Sequence, residues 1–292
     1  MSTALENKID FEVLIAVTNA NPNGDPLGGN RPRTDYDGFG EISDVCIKRK
    51  IRNRMQDMGC AVFVQSDDRC DDGKTSLKDR AKDMEKIKDA DEFYKIACKT
   101  WLDVRTFGQV FAFKDFGCSS VGVRGPVSIH LAKSADPVDI QSMQITKSVS
   151  GDKKEGQERG SDTMGMKHFV KFGLYTVKGS INVQLAEKTG FTREDAETVK
   201  ECLRTLFVND TSAARPDGSM EVVKLYWWQH NCRDGQYSSA KVHRLVNAAL
   251  KEGVAEPTSA EDYVITVNTL EAVFIRFCSK PWLKSGEKRS IL

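Results

Sequence analysis

The chain has 292 residues, of which 39% are hydrophobic and 29% charged, with a formal net charge of +1. That length suits one large domain or two modest ones, with enough apolar residues for a core and too many charges for a membrane-embedded chain. No apolar run approaches the ~20 residues of a spanning helix, the first twelve residues lack an apolar signal core, and eight cysteines without a CxxC pair read as reduced and cytoplasmic.

In chain order, Ile9, Phe11, Val13, Ile15 and Val17 alternate with their neighbours, the period of a strand. Asn19-Ala-Asn-Pro-Asn-Gly-Asp-Pro and the residues through Arg31, Arg33 and Tyr36 have loop chemistry. Ser43 is placed as an N-cap, and Ile47, Ile51, Met55 and Met58 form one apolar helical stripe that Gly59 ends. Cys60 to Gln65 then reads as a short strand, completing a β-loop-α-β unit. Leu77 to Trp101 reads as a charged helical insertion, and Trp101 to Val104, Val121 to Leu131 and Tyr175 to Val177 as strands. Ser148 to Gly165 has the composition of a mobile excursion.

A second unit follows. Ser180 to Leu185 alternates like a strand, and Thr192 with Asp195 has capping-box spacing before a helix carrying Ala196, Val199, Leu203 and Leu206. Glu221 to Trp228 reads as its closing strand. A helix through Val242, Leu245, Val246, Ala249 and Leu250 and strands at Tyr263 to Val267 and Ala272 to Phe277 complete the chain. Two facing βαβ units predict an α+β, ferredoxin-like (RRM-like) sheet with two helices on one face. An unrelated arrangement of the same elements is the alternative. The expectation is a single domain over residues 1–292, with an inserted region at 66–168.

Enzyme signatures are absent from the sequence. Gly73-Lys74-Thr75 resembles the end of a phosphate-binding loop, but the earlier glycine position holds Asp68. Asp35-Tyr-Asp-Gly fits a turn better than a calcium loop. The four histidines form no HxxxH or HExxH pair, so neither metal nor cofactor is expected. What survives is local positive charge. Lys48, Arg49, Lys50, Arg52 and Arg54 occur without an acid between Cys46 and Arg54. Helical spacing puts Arg49, Arg52 and Asn53 opposite the apolar stripe, with Lys48 and Lys50 on the flanks. Such a face suits a phosphate backbone; a solvated helix face is the plain alternative. Arg31 and Arg33 lie nearby, and Arg105, Phe107, Arg124, Lys147, Lys167 and His168 add cations and aromatics of the kind that hold single-stranded RNA. No base-stacking aromatic pattern marks a strand.

Three ordered motifs, Asn19-Ala-Asn-Pro-Asn-Gly-Asp-Pro, Gly29-Asn-Arg-Pro-Arg-Thr-Asp and Ser43-Asp-Val-Cys-Ile-Lys-Arg-Lys-Ile-Arg-Asn, resemble the CRISPR-associated Cas7 backbone subunits of type I-C Cascade. Asp103-Val-Arg-Thr-Phe-Gly, Val123-Arg-Gly-Pro-Val and Gly165-Met-Lys-His-Phe-Val-Lys-Phe-Gly-Leu-Tyr extend the resemblance over nearly the whole chain. Asp67 to Lys95 and Asp152 to Gly160 match least. The resemblance implies an RRM-like palm with finger and thumb insertions, the thumb between Val123 and His168. It implies a non-catalytic subunit, several copies of which line up head to tail on crRNA and present its bases to target DNA. Its other implied partners are the 5′-handle-binding or processing subunit and the large and small Cascade subunits. Carried over by residue, Lys48, Arg49 and Arg52 hold phosphates, Asn19, Asn21 and Asn23 donate amide hydrogen bonds, and Arg105, Phe107, Lys167 and His168 contribute. Relatives of other types that cut RNA with a loop aspartate supply the alternative, a metal-dependent endoribonuclease using Asp25, Asp35 or Asp37. A scaffold that binds no RNA is the third reading.

Overall fold

A computed structural model describes residues 3–70, 72–146, 164–270 and 274–278. Lys147 and most of the excursion predicted at Ser148 to Gly165 lie outside them. The chain begins with β1 (Ile9–Ala20) and a long loop holding β2 (Gly24–Asp25) and β3 (Arg31–Pro32), followed by β4 (Phe39–Ile42) and α1 (Asp44–Asp57). Next come α2 (Leu77–Arg80), α3 (Ala90–Thr100), α4 (Leu102–Phe107), β5 (Gly108–Phe111) and β6 (Val121–Arg124). β7 (Val127–Ile129), β8 (Ala132–Pro137), β9 (Ile140–Thr146) and β10 (Met164–Ile181) precede α5 (Val183–Thr189) and α6 (Arg193–Arg204). β11 (Met220–Gln229), α7 (Ser239–Val242), β12 (Val246–Leu250), β13 (Tyr263–Val267) and β14 (Phe274–Cys278) follow.

The main sheet is antiparallel, in the order β14-β11-β1-β10-β8-β4, with β7 and β9 also paired to β10. The odd residues of β1, Phe11, Val13, Ile15 and Val17, pack with Ile47, Ile51 and Met55 of α1 and Val199 and Leu203 of α6. Both helices therefore cover one face. Leu14 and Ala16 point the other way, into a core made with Leu174, Tyr226, Trp228, Val242, Val246 and Tyr263. The C-terminal elements thus close the second face of the sheet. Phe63, Phe93, Trp101, Phe111 and Val123 form a separate, aromatic core. β10 is 18 residues long, about 60 Å at ~3.3 Å per residue, and its first part runs on past the end of β1 and pairs with β9 from Met164–Thr146 to Val170–Ile140. Gly179 lies opposite Phe11 in the register, where a Cβ would sit 2.2 Å from the ring.

Ser43 caps α1 by accepting from the Cys46 amide at 3.2 Å, and Thr192 and Asp195 form the capping box of α6. Met58 caps α1 instead of extending its buried stripe and is 39% exposed. Four predicted elements differ. Cys60 to Gln65 is not a strand, because side chains take its backbone groups: Asp103 accepts from the Phe63 and Val64 amides, and Arg49 donates to the Val64 carbonyl. Trp101 to Val104 belongs to the start of α4, anchored by Leu102 donating to the Ala61 carbonyl. The strand expected through Leu185 stops at Ile181, since the Asn182 side chain accepts from the Leu185 amide and starts α5. The helix expected through Leu250 is a short α7 and then a strand: Val246 is buried while Asn247 and Ala249 are exposed, a period of two.

Candidate nucleic-acid interface

The cations of α1 are directed into the protein. Arg52 donates from Nε to Asp103 Oδ2 at 2.8 Å and lies 5.0 Å from the Phe107 ring centroid. Asp103 is fully buried. Arg49 reaches the Val64 carbonyl at 2.7 Å, and burial, with Arg52 alongside, pulls its pKa down. Lys50 is buried against Asp210, and burial lowers its pKa as well. Arg54 donates to Thr205 Oγ1 at 2.8 Å. Lys48 sits half-buried over Asp44 at 2.9 Å. The carbonyl of Asn53 accepts from Arg69 at 3.4 Å. The charge run is thus a structural seam joining α1 to α4 and to the loops after α1 and α6.

The loop after β1 is a folded object. Asn19 takes a left-handed backbone, φ 50°. Asn21, 3% exposed, donates to the Asn30 carbonyl at 2.7 Å, and Asn23 accepts from the Ser43 amide at 2.9 Å. The Asn21 and Asn23 side chains thus shape the loop. Asp25 and Asp35, offered by the sequence as nuclease aspartates, each organise a turn. Asp25 accepts from the Leu27 amide at 3.3 Å and pairs with Arg33 at 3.3 Å. Asp35 accepts from the Asp37 and Phe39 amides at 3.0 and 2.9 Å and pairs with Lys133. The Lys133 hydrogen bond is the main reason that the Asp35 pKa is lowered. Asp37 is exposed. Among the described residues, no group of three or more His, Cys, Asp or Glu could hold a metal ion.

Two predicted residues, distant in sequence, do converge. Arg31 of β3 donates to the Ser142 hydroxyl at 3.4 Å, and that hydroxyl lies 2.8 Å from His168 Nδ1. The Ser142 hydroxyl can accept from Arg31 and at the same time share a proton with Nδ1 in either direction. His168 and Ser142 are paired across β10 and β9, so the cluster sits at the root of the protruding hairpin. Lys167 neighbours it on the opposite strand face. The hairpin beyond exposes Met143, Ile145, Met164 and Met166.

The remaining candidates lie elsewhere. Arg105 makes a two-pronged pair with Asp195, at 2.9 and 2.8 Å, and ties α4 to α6. Phe107 packs against the main core under Arg52. Arg124 is exposed and lines a groove of about 590 Å³ with Lys8, Asn182 and Arg233, near the end of β10 far from His168. A buried set on the second sheet face carries no local sequence signal. His230 Nε2 lies 2.8 Å from Asp10, and its Nδ1 lies 3.0 Å from the Gln236 side-chain oxygen and 3.1 Å from the Gln236 backbone nitrogen. Burial alone would raise the Asp10 pKa, but bonds from His230 and Ser239, with Lys8 and His243 near, outweigh it and lower the value. Both imidazole nitrogens are thereby engaged, which makes this dyad a clasp between β1 and the segment after β11.

No helix among the described residues is long and apolar enough to cross a membrane. The family model described as CRISPR-associated protein Cas7 matches residues 7–268. A "CRISPR-associated protein Cas7" of Haloferax volcanii is 29% identical over 231 residues, 72% of this chain and 67% of that one. Among solved structures, a chain of a "CRISPR RNA-guided surveillance complex, pre-nicking" superimposes with a TM-score of 0.52 at 16% identity, covering 85% of this chain and 84% of its own.

Proposed function

The chain belongs to the CRISPR-associated protein Cas7 family, and we propose that it is a non-catalytic, RNA-binding backbone subunit of a type I-C Cascade complex. Several copies polymerise head to tail on crRNA, hold its phosphates and leave its bases free to pair with target DNA. The 5′-handle-binding, large and small subunits complete the cytoplasmic particle. The order β11-β1-β10-β8, with α1 and α6 on one face, supports a ferredoxin-like, RRM-like palm. The finger and thumb belong to the region 66–168, with the β9–β10 hairpin as the thumb.

The observation that carries the RNA reading is the cluster of Arg31, Ser142 and His168 at the hairpin root. It places an exposed guanidinium and an imidazole beside exposed apolar side chains, the combination a single strand needs. The second sheet face is closed by the C-terminal elements, which directs the strand to the loop and hairpin. Lys48, Lys167 and Arg124 are further phosphate candidates. Recognition of backbone alone is consistent with a subunit that leaves sequence reading to base pairing.

The test is co-expression with a CRISPR array, measuring bound RNA and its salt dependence. Arg31→Ala with His168→Ala is expected to release RNA and flatten the salt slope by about 0.7 log unit per lost phosphate contact. RNA retention and a slope equal to wild type would overturn the assignment. Labelled RNA incubated with the protein and magnesium should stay intact, and cleavage abolished by Asp25→Asn or Asp35→Asn would favour the nuclease reading instead.

A further inference from the structure

Tyr36 stands at the apex of the turn between β3 and β4 with a relative exposure of 104%, so its ring has no protein neighbour. Exposed side chains on mobile loops are ordinary; this one is on a fastened turn. Asp35 donates its amide to the Phe39 carbonyl at 2.9 Å and accepts the Gly38 amide on its own carbonyl at 3.3 Å. Its carboxylate takes the Asp37 and Phe39 amides on one oxygen and Lys133 on the other. Thr34 and Gly40 bridge the base of the turn. Lys133 also lies 4.7 Å from the Phe39 ring centroid, which fixes the flank of the turn.

A ring held out in this way loses little freedom when something covers it, which is how preorganisation raises affinity. The surroundings indicate what covers it. Arg31, five residues back along β3, is aimed with His168 at the hairpin root. At ~3.3 Å per residue it lies within about 17 Å of the apex, the reach of a short stretch of single strand. A flat π-face on a turn flanked by the half-exposed Lys133, with Arg31 a few nucleotides away, suits a nucleobase followed by its phosphates. Leu27, 99% exposed on the neighbouring Asp25 turn, shows the same construction without the aromatic face.

We propose that Tyr36 is a preorganised stacking platform for a nucleobase of the bound RNA, held in place by the Asp35 turn. The assignment rests on the RNA-binding reading above. It adds a base contact to a subunit otherwise argued to grip backbone, and one indifferent to base identity because every base has a π-face.

The test uses the full chain reconstituted with synthetic single-stranded RNA carrying 2-aminopurine at successive positions. Stacking on Tyr36 should quench fluorescence at particular positions. Tyr36→Ala should lose that quenching and weaken binding roughly tenfold, with an unchanged melting temperature. Tyr36→Phe should restore both, and Asp35→Ala should weaken them by freeing the turn. Wild-type quenching in Tyr36→Ala would overturn the proposal. So would a Tyr36→Ala protein that binds and quenches RNA normally but fails to assemble, since Tyr36 would then contact a second copy. Absence of RNA binding by the wild type would instead remove the RNA reading itself.

Discussion

Replacing Asp103 with alanine is expected to destabilise the fold by roughly 3–5 kcal/mol, the range for breaking a buried ion pair from one side. Asp103 is fully buried and receives the Phe63 amide at 2.7 Å, the Val64 amide at 3.1 Å and Arg52 at 2.8 Å. Alanine would leave two amides and a half-buried guanidinium without their acceptor. Urea denaturation read as a shift in midpoint checks this. A loss below about 1 kcal/mol would mean that the pair is dispensable and that Arg52 is available to RNA. The result governs how variants of α1 are interpreted. Arg49→Ala with Arg52→Ala should weaken RNA binding chiefly by loosening the seam to α4, so stability and binding must be measured on the same preparation.

Glu12→Gln is expected to shift stability in a pH-dependent way. Glu12 is 1% exposed, its Oε2 has no hydrogen-bond partner, and burial raises its pKa to about 8, against the opposing pull of Lys178. The folded state therefore holds a proton that the unfolded chain releases above its ordinary value near 4.5. Folded protein binds more protons than unfolded between pH 4.5 and about 8, so stability falls as pH rises through that window. Glutamine removes the penalty. The stability of Glu12→Gln relative to wild type should grow by roughly 2–3 kcal/mol from pH 5 to pH 7 and level off above pH 8. A difference that does not vary with pH would show that Glu12 is solvated.

The alternation in β1 was legible because Phe11, Val13, Ile15 and Val17 meet helices whose caps and stripes are themselves local signals. Asp10 and Glu12 alternate with those residues, and the cover over Asp10 comes from His230, Ser239 and His243, which nothing near β1 announces. The intramolecular partners of the α1 charge run are hidden from the sequence for a related reason. Its partners Asp103, Thr205 and Asp210 lie far along the chain, and helical spacing reports where a side chain points, not what meets it. Arg31 and His168 stand far apart in the sequence, and the residue that joins them, Ser142, carries no signal of its own. Aspartates 25 and 35 invited a catalytic reading, and their turns show the ordinary use of aspartate in a Gly- and Pro-rich loop.

β1 is the first strand made and pairs on one side with β10, Ile9 with Ile181, and on the other with β11, Ile9 with Gln229. Its second face is covered only once β12 and β13 exist. Contacts this distant in sequence make for slow folding. On a ribosome adding about 5–20 residues per second, β1 waits roughly 8–30 seconds for β10 with both edges unpaired. An apolar strand left in that state is an aggregation hazard, so efficient production of the subunit should depend on translation speed and on chaperones that shield its first twenty residues.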